Sequence, residues 1–487
     1  MTVLTRRTAL TRRSALGAGL ASLALTGTEL FGTGSAPLDL LVTSSAHGAQ
    51  PTFKQLSTPA LAWIPNGWPN HGPKKTIDPD YSAGFRMAPD GVPLSYIKDV
   101  WGAHPSRVGW FINYQINNFE LNQVQASLDK AVQVMHGMMK RAAYRDGGAF
   151  VRYEFPWNVA HGTLAAGWHS AFAQGEFVTA AWRLHKFTGD PIFLKYRDQL
   201  LQAFFVPRAV GKPWIASVDA NQCLWLEEYP FPDGHSSQVF NGQAYAIIDL
   251  LEYYYLSKDT RVLPLIKGGL YTMWRYRGNC RNPGYVSRYY NTNNNLHTSY
   301  HSVHADCFHQ LYNMTRLAPF GVVLDQPIRD FCTWSKPGKV RVQAGVKVLL
   351  RQGSVEKYWT PSATTVYESS ARTSFKGRVG CWSLLSSGPM TGWYAQESVA
   401  TYRTGYETDR WDFRFARTVR FNPGKVTCFE VLADGRRYTR GTRTFTVTTT
   451  ARSIQRACLG GRQYIKMYDG PFQGFWVEEV PGKVYYI

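Results

Sequence analysis

Apolar positions fall into three textures along the 487-residue chain. From about residue 119 to 334 they recur at three- and four-residue spacing, as in "LNQVQASLDKAVQVMHGMMKRAAY" (121–144), and predict helices. "EFVTAAWRLHKFTGDPIFLKYRDQLLQAFF" (176–205) reads as a helix pair: the first helix stops at Gly189, Asp190 caps the second and Pro191 takes its first turn. "FNGQAYAIIDLLEYYYLSKDTRVLPLIKGGLYTMW" (240–274) is a second such pair. Repeated helix pairs on short turns predict an α/α toroid, a ring of helix pairs around a cleft.

Beyond Pro337 the texture alternates. "KVRVQAGVKVLL" (339–350), "TRTFTVTTT" (442–450) and "GFWVEEVPGKVYYI" (474–487) are rich in Val, Thr and aromatics, with "ADGRR" and "VPGK" as hairpin turns. Residues 338–487 are expected to be an all-β, sandwich-like domain. Residues 50–118 are rich in Pro, Gly and aromatics and read as an extended arm or hairpin. The expected class is therefore α+β multidomain: an arm (50–118), a helical toroid (119–337) and a β-rich domain (338–487).

Residues 1–49 read as an export signal. Arginine pairs at Arg6-Arg7 and Arg12-Arg13 precede a short small-residue apolar run, a pattern that resembles a bacterial twin-arginine signal. The expected location is extracellular, periplasmic or cell-envelope, with no membrane insertion of the mature chain and a homodimer left open.

Charge narrows the partner. Fifty-four Lys and Arg against 34 Asp and Glu give +20, which favours a polyanion. No zinc-finger spacing, RNP-type motif or basic run accompanies it, so nucleic acid is disfavoured and an acidic polysaccharide fits better. Aromatics at 14% suit packing on sugar rings. The seven cysteines (223, 280, 307, 332, 381, 428 and 458) form no CxxC pair and are expected to be mostly buried, with one or two disulfides.

Periodicity does not explain five stretches: "GWHSAFAQG" (167–175), "WLEEYP" (225–230), "FNGQAY" (240–245), "YVSR" (285–288) and "YHSVHADCFHQL" (300–311). In that order they resemble the C-terminal helical domain of the D-glucuronyl C5-epimerases, enzymes that convert glucuronate to iduronate in heparan-type chains. "GVPLS" (91–95) and "GWFINYQINNFEL" (109–121) resemble that family's N-terminal arm. The animal enzymes carry a β-domain between arm and helices; here a β-domain follows the helices instead.

The resemblance implies an isomerase without cofactor, acting on a uronate-containing polysaccharide. It places Tyr229, Tyr285 and Tyr300 at the functional tyrosines, with Glu228 beside the first and Glu227 in a structural role. Removing a proton alpha to an ionised carboxylate needs a cation or donors on that carboxylate, and Arg288 is the candidate. Two-face proton transfer needs two acid/base groups, and a tyrosine base needs help to ionise.

His301, His304, Gln174, His169, Gln115, Tyr114 and Asn241 are the candidate substrate contacts. Asn241 reads first as a helix cap, and Gln174 with Gly175 as a close helix approach lining the cleft. The His301, His304, Cys307, His309 run resembles a zinc ligand set only superficially, and no metal is expected. A polysaccharide lyase, which shares the C5 deprotonation, and a non-catalytic glycan-binding envelope protein are the alternatives.

Overall fold

The computed structural model describes residues 40–42, 52–58, 61–62 and 84–487, except 284, 331–337, 376, 379–380, 399, 405–409, 433–435 and 460–461. The export signal, apart from 40–42, and the domain boundary expected at 337 lie outside the described residues. The chain divides into two compact units. One holds the described residues among 32–280 and 289–295, and the other those among 281–288 and 296–487.

The first unit is helical. Its helices are α1 (Pro105–Asn122), α2 (Gln125–Arg141), α3 (Ala171–Thr188), α4 (Ile192–Gln202), α5 (Phe240–Ser257) and α6 (Leu263–Cys280). The junction between α3 and α4 follows the sequence. Gly189 takes φ 72°, a left-handed conformation that costs glycine little, and its N–H donates to the His185 carbonyl. Asp190 Oδ1 then accepts from the Ile192 N–H at 2.9 Å.

Helices α3 and α5 are central, because apolar residues surround them on nearly all faces. Phe177, Leu184, Ile247 and Leu250 have no exposed surface, and each such burial contributes about 1.5–3 kcal/mol. α3 packs against α1, α4 and α5. At the α3–α5 crossing a Cβ on Gly175 would lie 2.6 Å from Asp249 Cβ, so the close approach expected of that glycine is present. Three-stranded and two-stranded antiparallel ribbons fill the connections.

One expectation is corrected. Residues 105–118, expected within an extended arm, belong to α1, with Pro105 in its first turn. Its buried face mixes Phe111, Ile112 and Ile116 with buried Asn113 and Asn117. Those asparagines accept from buried Arg183 of α3, so the apolar stripe is interrupted and weak as a signal.

The second unit begins its ordered helices with α7 (Thr298–Thr315) and α8 (Ala318–Asp330). Two seven-stranded antiparallel sheets follow, the first from strands between 338 and 404 and the second from strands between 410 and 486. Each has its own buried cluster, around Val340, Leu350 and Leu385 in the first and Tyr464 and Trp476 in the second. Cys223, Cys280, Cys307 and Cys428 are buried thiols, and Cys381 is disulfide-bonded.

Candidate active site

The short strand Leu224–Leu226 pairs with Ala216–Val218 and is wholly buried. Gln243 of α5 stitches it in place: its Oε1 accepts from the Leu226 N–H at 2.6 Å and its Nε2 donates to the Leu224 carbonyl at 3.1 Å. The next carbonyl, that of Glu227, accepts from the Ala171 N–H at 2.8 Å and so serves the start of α3. The two adjacent glutamates are thereby fixed between the starts of α3 and α5.

Their side chains meet opposite surroundings. The Glu227 carboxylate, 1% exposed, accepts from the Ser217, Ser236 and Ser237 hydroxyls and from the Ser237 and Gln238 N–H groups. Burial raises its pKa against the pull of those donors. This is a structural latch on the 231–239 loop, as the sequence suggests.

Glu228 is also buried, but its neighbours are few and neutral. Asn241 Nδ2 donates to Oε2 at 3.1 Å, and the Tyr289 hydroxyl lies 3.5 Å from both carboxylate oxygens. The Tyr229 hydroxyl lies 3.3 Å from that of Tyr289. Burial pushes the Glu228 carboxyl up to about 7, although hydrogen bonds from Tyr229, Tyr289 and Asn241 act in the opposite direction. A group with that pKa exchanges protons readily near neutral pH.

Local sequence explains how Glu228 fits. A Cβ at Gly242 would lie 2.5 Å from Glu228 Cβ, so only glycine lets α5 start beside this turn. Asn241, expected to cap α5, does not. Val239 holds the cap position, and Asn241 sits in the first turn with its amide on Glu228. The "NG" of "FNGQAY" thus serves Glu228 with a donor and with space.

Tyr289 was not among the expected site residues. Its carbonyl accepts from the Phe240 N–H, its N–H donates to the Asn295 carbonyl, and the next residue bridges to Val239. These backbone contacts set it against the start of α5. The doubled tyrosine after "YVSR" is its only trace in the sequence. On the other side of Tyr229 the Trp168 ring lies at 5.6 Å, itself stacked at 3.7 Å on Tyr153. The Tyr153 hydroxyl is 2.7 Å from that of Ser106.

The other expected residues are distributed as follows. Gln174 does not line a cleft: it is fully buried, with its amide bonded to the backbone at Ala149, Leu200 and Val151. His169 is buried beside Trp168, with Nδ1 3.2 Å from the Val151 carbonyl. Tyr114 and Gln115 are half-buried on α1 rather than on an arm.

Tyr285, Arg288, Tyr300, His301 and His304 belong to the second unit. There, His301 Nδ1 accepts from the Ser287 N–H at 2.8 Å, which places its proton on Nε2, and His304 Nδ1 is 2.6 Å from the Ser287 hydroxyl. Both rings are 1% exposed, and burial lowers His304 to about 3. They hold the "YVSR" segment through Ser287. Arg288 is half-buried and bridges to Leu296 through its backbone; Tyr285 and Tyr300 are half-buried.

Residues 146–324 match the family described as D-glucuronyl C5-epimerase C-terminus. No curated protein matches the chain. Among solved structures, the chain is similar to cellobiose 2-epimerase from Bacillus thermoamylovorans B4167, at TM-score 0.35 and 13% identity over 46% of this chain and 59% of that one. Cellobiose 2-epimerase from Spirochaeta thermophila DSM 6192 gives 0.34 and 15% over 50% and 60%. The GH76 α-mannanase BT2949 of Bacteroides thetaiotaomicron gives 0.31 and 15% over 49% and 59%. The chain thus spans about three fifths of each, and likeness at this level fixes neither fold nor activity. No described helix is long and apolar enough to cross a membrane.

Proposed function

Residues 146–324 belong to the D-glucuronyl C5-epimerase C-terminus family, and from that premise we propose that the protein epimerises glucuronate residues to iduronate at C5 within an acidic polysaccharide. The observation that carries this reading is the Glu228 carboxyl, lifted to about 7 beside two tyrosine hydroxyls. In the reaction the Tyr229 oxygen takes the C5 proton as the C5–H bond breaks, and its own proton has first passed to the Glu228 carboxylate. Tyr289 completes the hydrogen-bonded path between them. Proton return from the opposite face inverts C5.

The resemblance assigns the opposite-face carrier to Tyr300 and the carboxylate partner to Arg288. We read the helix pairs as an α/α toroid, the sheets as a sandwich-like accessory domain, and the N-terminal arginine pairs as a twin-arginine export signal. The net charge of +20 supports an anionic polymer.

The test is incubation with a glucuronate polymer in deuterated water, followed by NMR. The expected result is deuterium at C5 and iduronate in chains of unchanged length. Unsaturated, ultraviolet-absorbing ends would mean a lyase, and no reaction on any glucuronan or heparosan-type polymer would mean a binding protein. Tyr229→Phe and Tyr300→Phe should each lower epimerisation roughly a hundredfold or more, the scale of general acid–base catalysis. Near-normal rates in both would make these tyrosines structural.

A further inference from the structure

A solvent-open groove of about 220 Å³ adjoins the Glu228–Tyr229 cluster, lined by Trp168, His169, Lys212, Trp214 and Pro230 among others. Two of its lining residues adjoin the cluster. Pro230 follows Tyr229 directly in the chain, and the Trp168 ring lies 5.6 Å from that of Tyr229.

The lining has a definite chemistry. Trp168 Nε1 donates to the Phe155 carbonyl at 3.0 Å, and Trp214 Nε1 donates to the Phe231 carbonyl at 3.1 Å. Each indole has a single donor and has committed it; Trp214 is 1% exposed, so the carbon surface at the groove comes from Trp168, 8% exposed, and from the exposed Pro232. His169 Nδ1 faces the Val151 carbonyl. A carbonyl can only accept, so the proton is on Nδ1 and Nε2 is a lone-pair acceptor. Burial keeps this ring neutral, lowering it to about 4. Lys212, exposed, brings an ammonium group.

We propose that this groove is the subsite for the saccharide residue adjoining the reacting uronate in an acidic polysaccharide. The inference rests on the functional reading above. Ring carbons of the sugar pack on Trp168 and Pro232, a hydroxyl or amide N–H of the sugar donates to His169 Nε2, and Lys212 attracts an anionic group of the chain. A lone pair at His169 repels a carboxylate, so the groove orients its occupant with the donor inward and the anion at Lys212.

The test is binding without turnover. A hexasaccharide of alternating glucuronate and N-acetylglucosamine is titrated into the full-length protein, followed by tryptophan fluorescence and calorimetry. Lys212→Met should weaken binding about threefold to tenfold at low salt and flatten its salt dependence. His169→Leu should weaken binding about tenfold and His169→Gln, which restores an acceptor, should recover part of it. In deuterium exchange these variants should raise KM by the same factors and leave kcat unchanged.

Binding as tight as wild type in both Lys212→Met and His169→Leu overturns the subsite, as does a wild-type protein that does not bind the hexasaccharide. Wild-type protein that binds with the expected variant pattern but exchanges no C5 proton supports the subsite and sinks the epimerase reading instead.

Discussion

The two sheets and the helical unit treat buried carboxylates differently. In the β-sheet unit, Glu397 pairs with Arg372 and Glu479 with Arg456, each at 2.5 Å and all four side chains at most 1% exposed. Glu397 also accepts from the Ser383 hydroxyl. In the helical unit Arg183 pairs with Glu120, yet among the described residues Glu228 faces only neutral donors. Asp249 faces Glu176 and Glu252, and its oxygens have no hydrogen-bond partner among the described residues. Burial raises both carboxyls, and for Asp249 the two neighbouring carboxylates raise it further. A buried charge held by arginine is architecture. A buried carboxyl held by neutral groups takes up and releases its proton near neutral pH, which is a chemical capacity.

That contrast is broken most severely in the sheets. Arg372→Met leaves Glu397 buried without its cation and should destabilise the β-sheet unit by about 3–5 kcal/mol, read by denaturant unfolding. A change under about 1 kcal/mol would mean the pair is solvated and the contrast overstated.

Glu228→Gln should act in the opposite direction. The folded-state pKa of about 7 exceeds the ordinary 4.5. Stability carried by the protonated carboxyl is therefore fully present below pH 4.5 and lost as pH rises to about 7. The loss is about 3 kcal/mol. The glutamine variant escapes it, so its melting temperature should exceed that of wild type at pH 8 and match it near pH 4.5. Epimerisation should fall sharply in the same variant. Equal melting at pH 8 would place Glu228 in a less costly environment than its burial implies.

Tyr289→Phe is the smallest of these effects. It removes one donor from Glu228 and the bridge to Tyr229, so exchange should fall about tenfold and the pH profile of kcat should shift upward, because a hydrogen bond that lowers the Glu228 pKa is gone. An unchanged profile would confine Tyr289 to packing.

The sequence made some of this legible. The Gly189 stop, the Asp190 cap and the two helix pairs carry local signals, since φ above zero and a capping oxygen depend on a few adjacent residues. The structural role of Glu227 agrees with its five hydrogen bonds, whereas Glu228 was singled out by the family resemblance of "EEYP" and by no local pattern. α1 escaped because buried Asn113 and Asn117 satisfy Arg183, a partner 66 or more residues away. Asn241 was misread as a cap because local propensity favours capping, whereas Glu228, 13 residues upstream, claims its amide. Tyr289 reaches Glu228 across 61 residues through backbone bridges that no local pattern encodes.

The central claim is that Glu228 takes up and releases its proton near neutral pH. Carbon-13 NMR of protein labelled at glutamate carboxyls, with Glu228→Gln as the reference, isolates its resonance across a pH titration. A midpoint near 7 for the signal missing from the variant is the predicted result. A midpoint at the ordinary glutamate value would contradict it, and would leave Tyr229 facing a carboxylate too weakly basic for the proton transfer on which this mechanism depends.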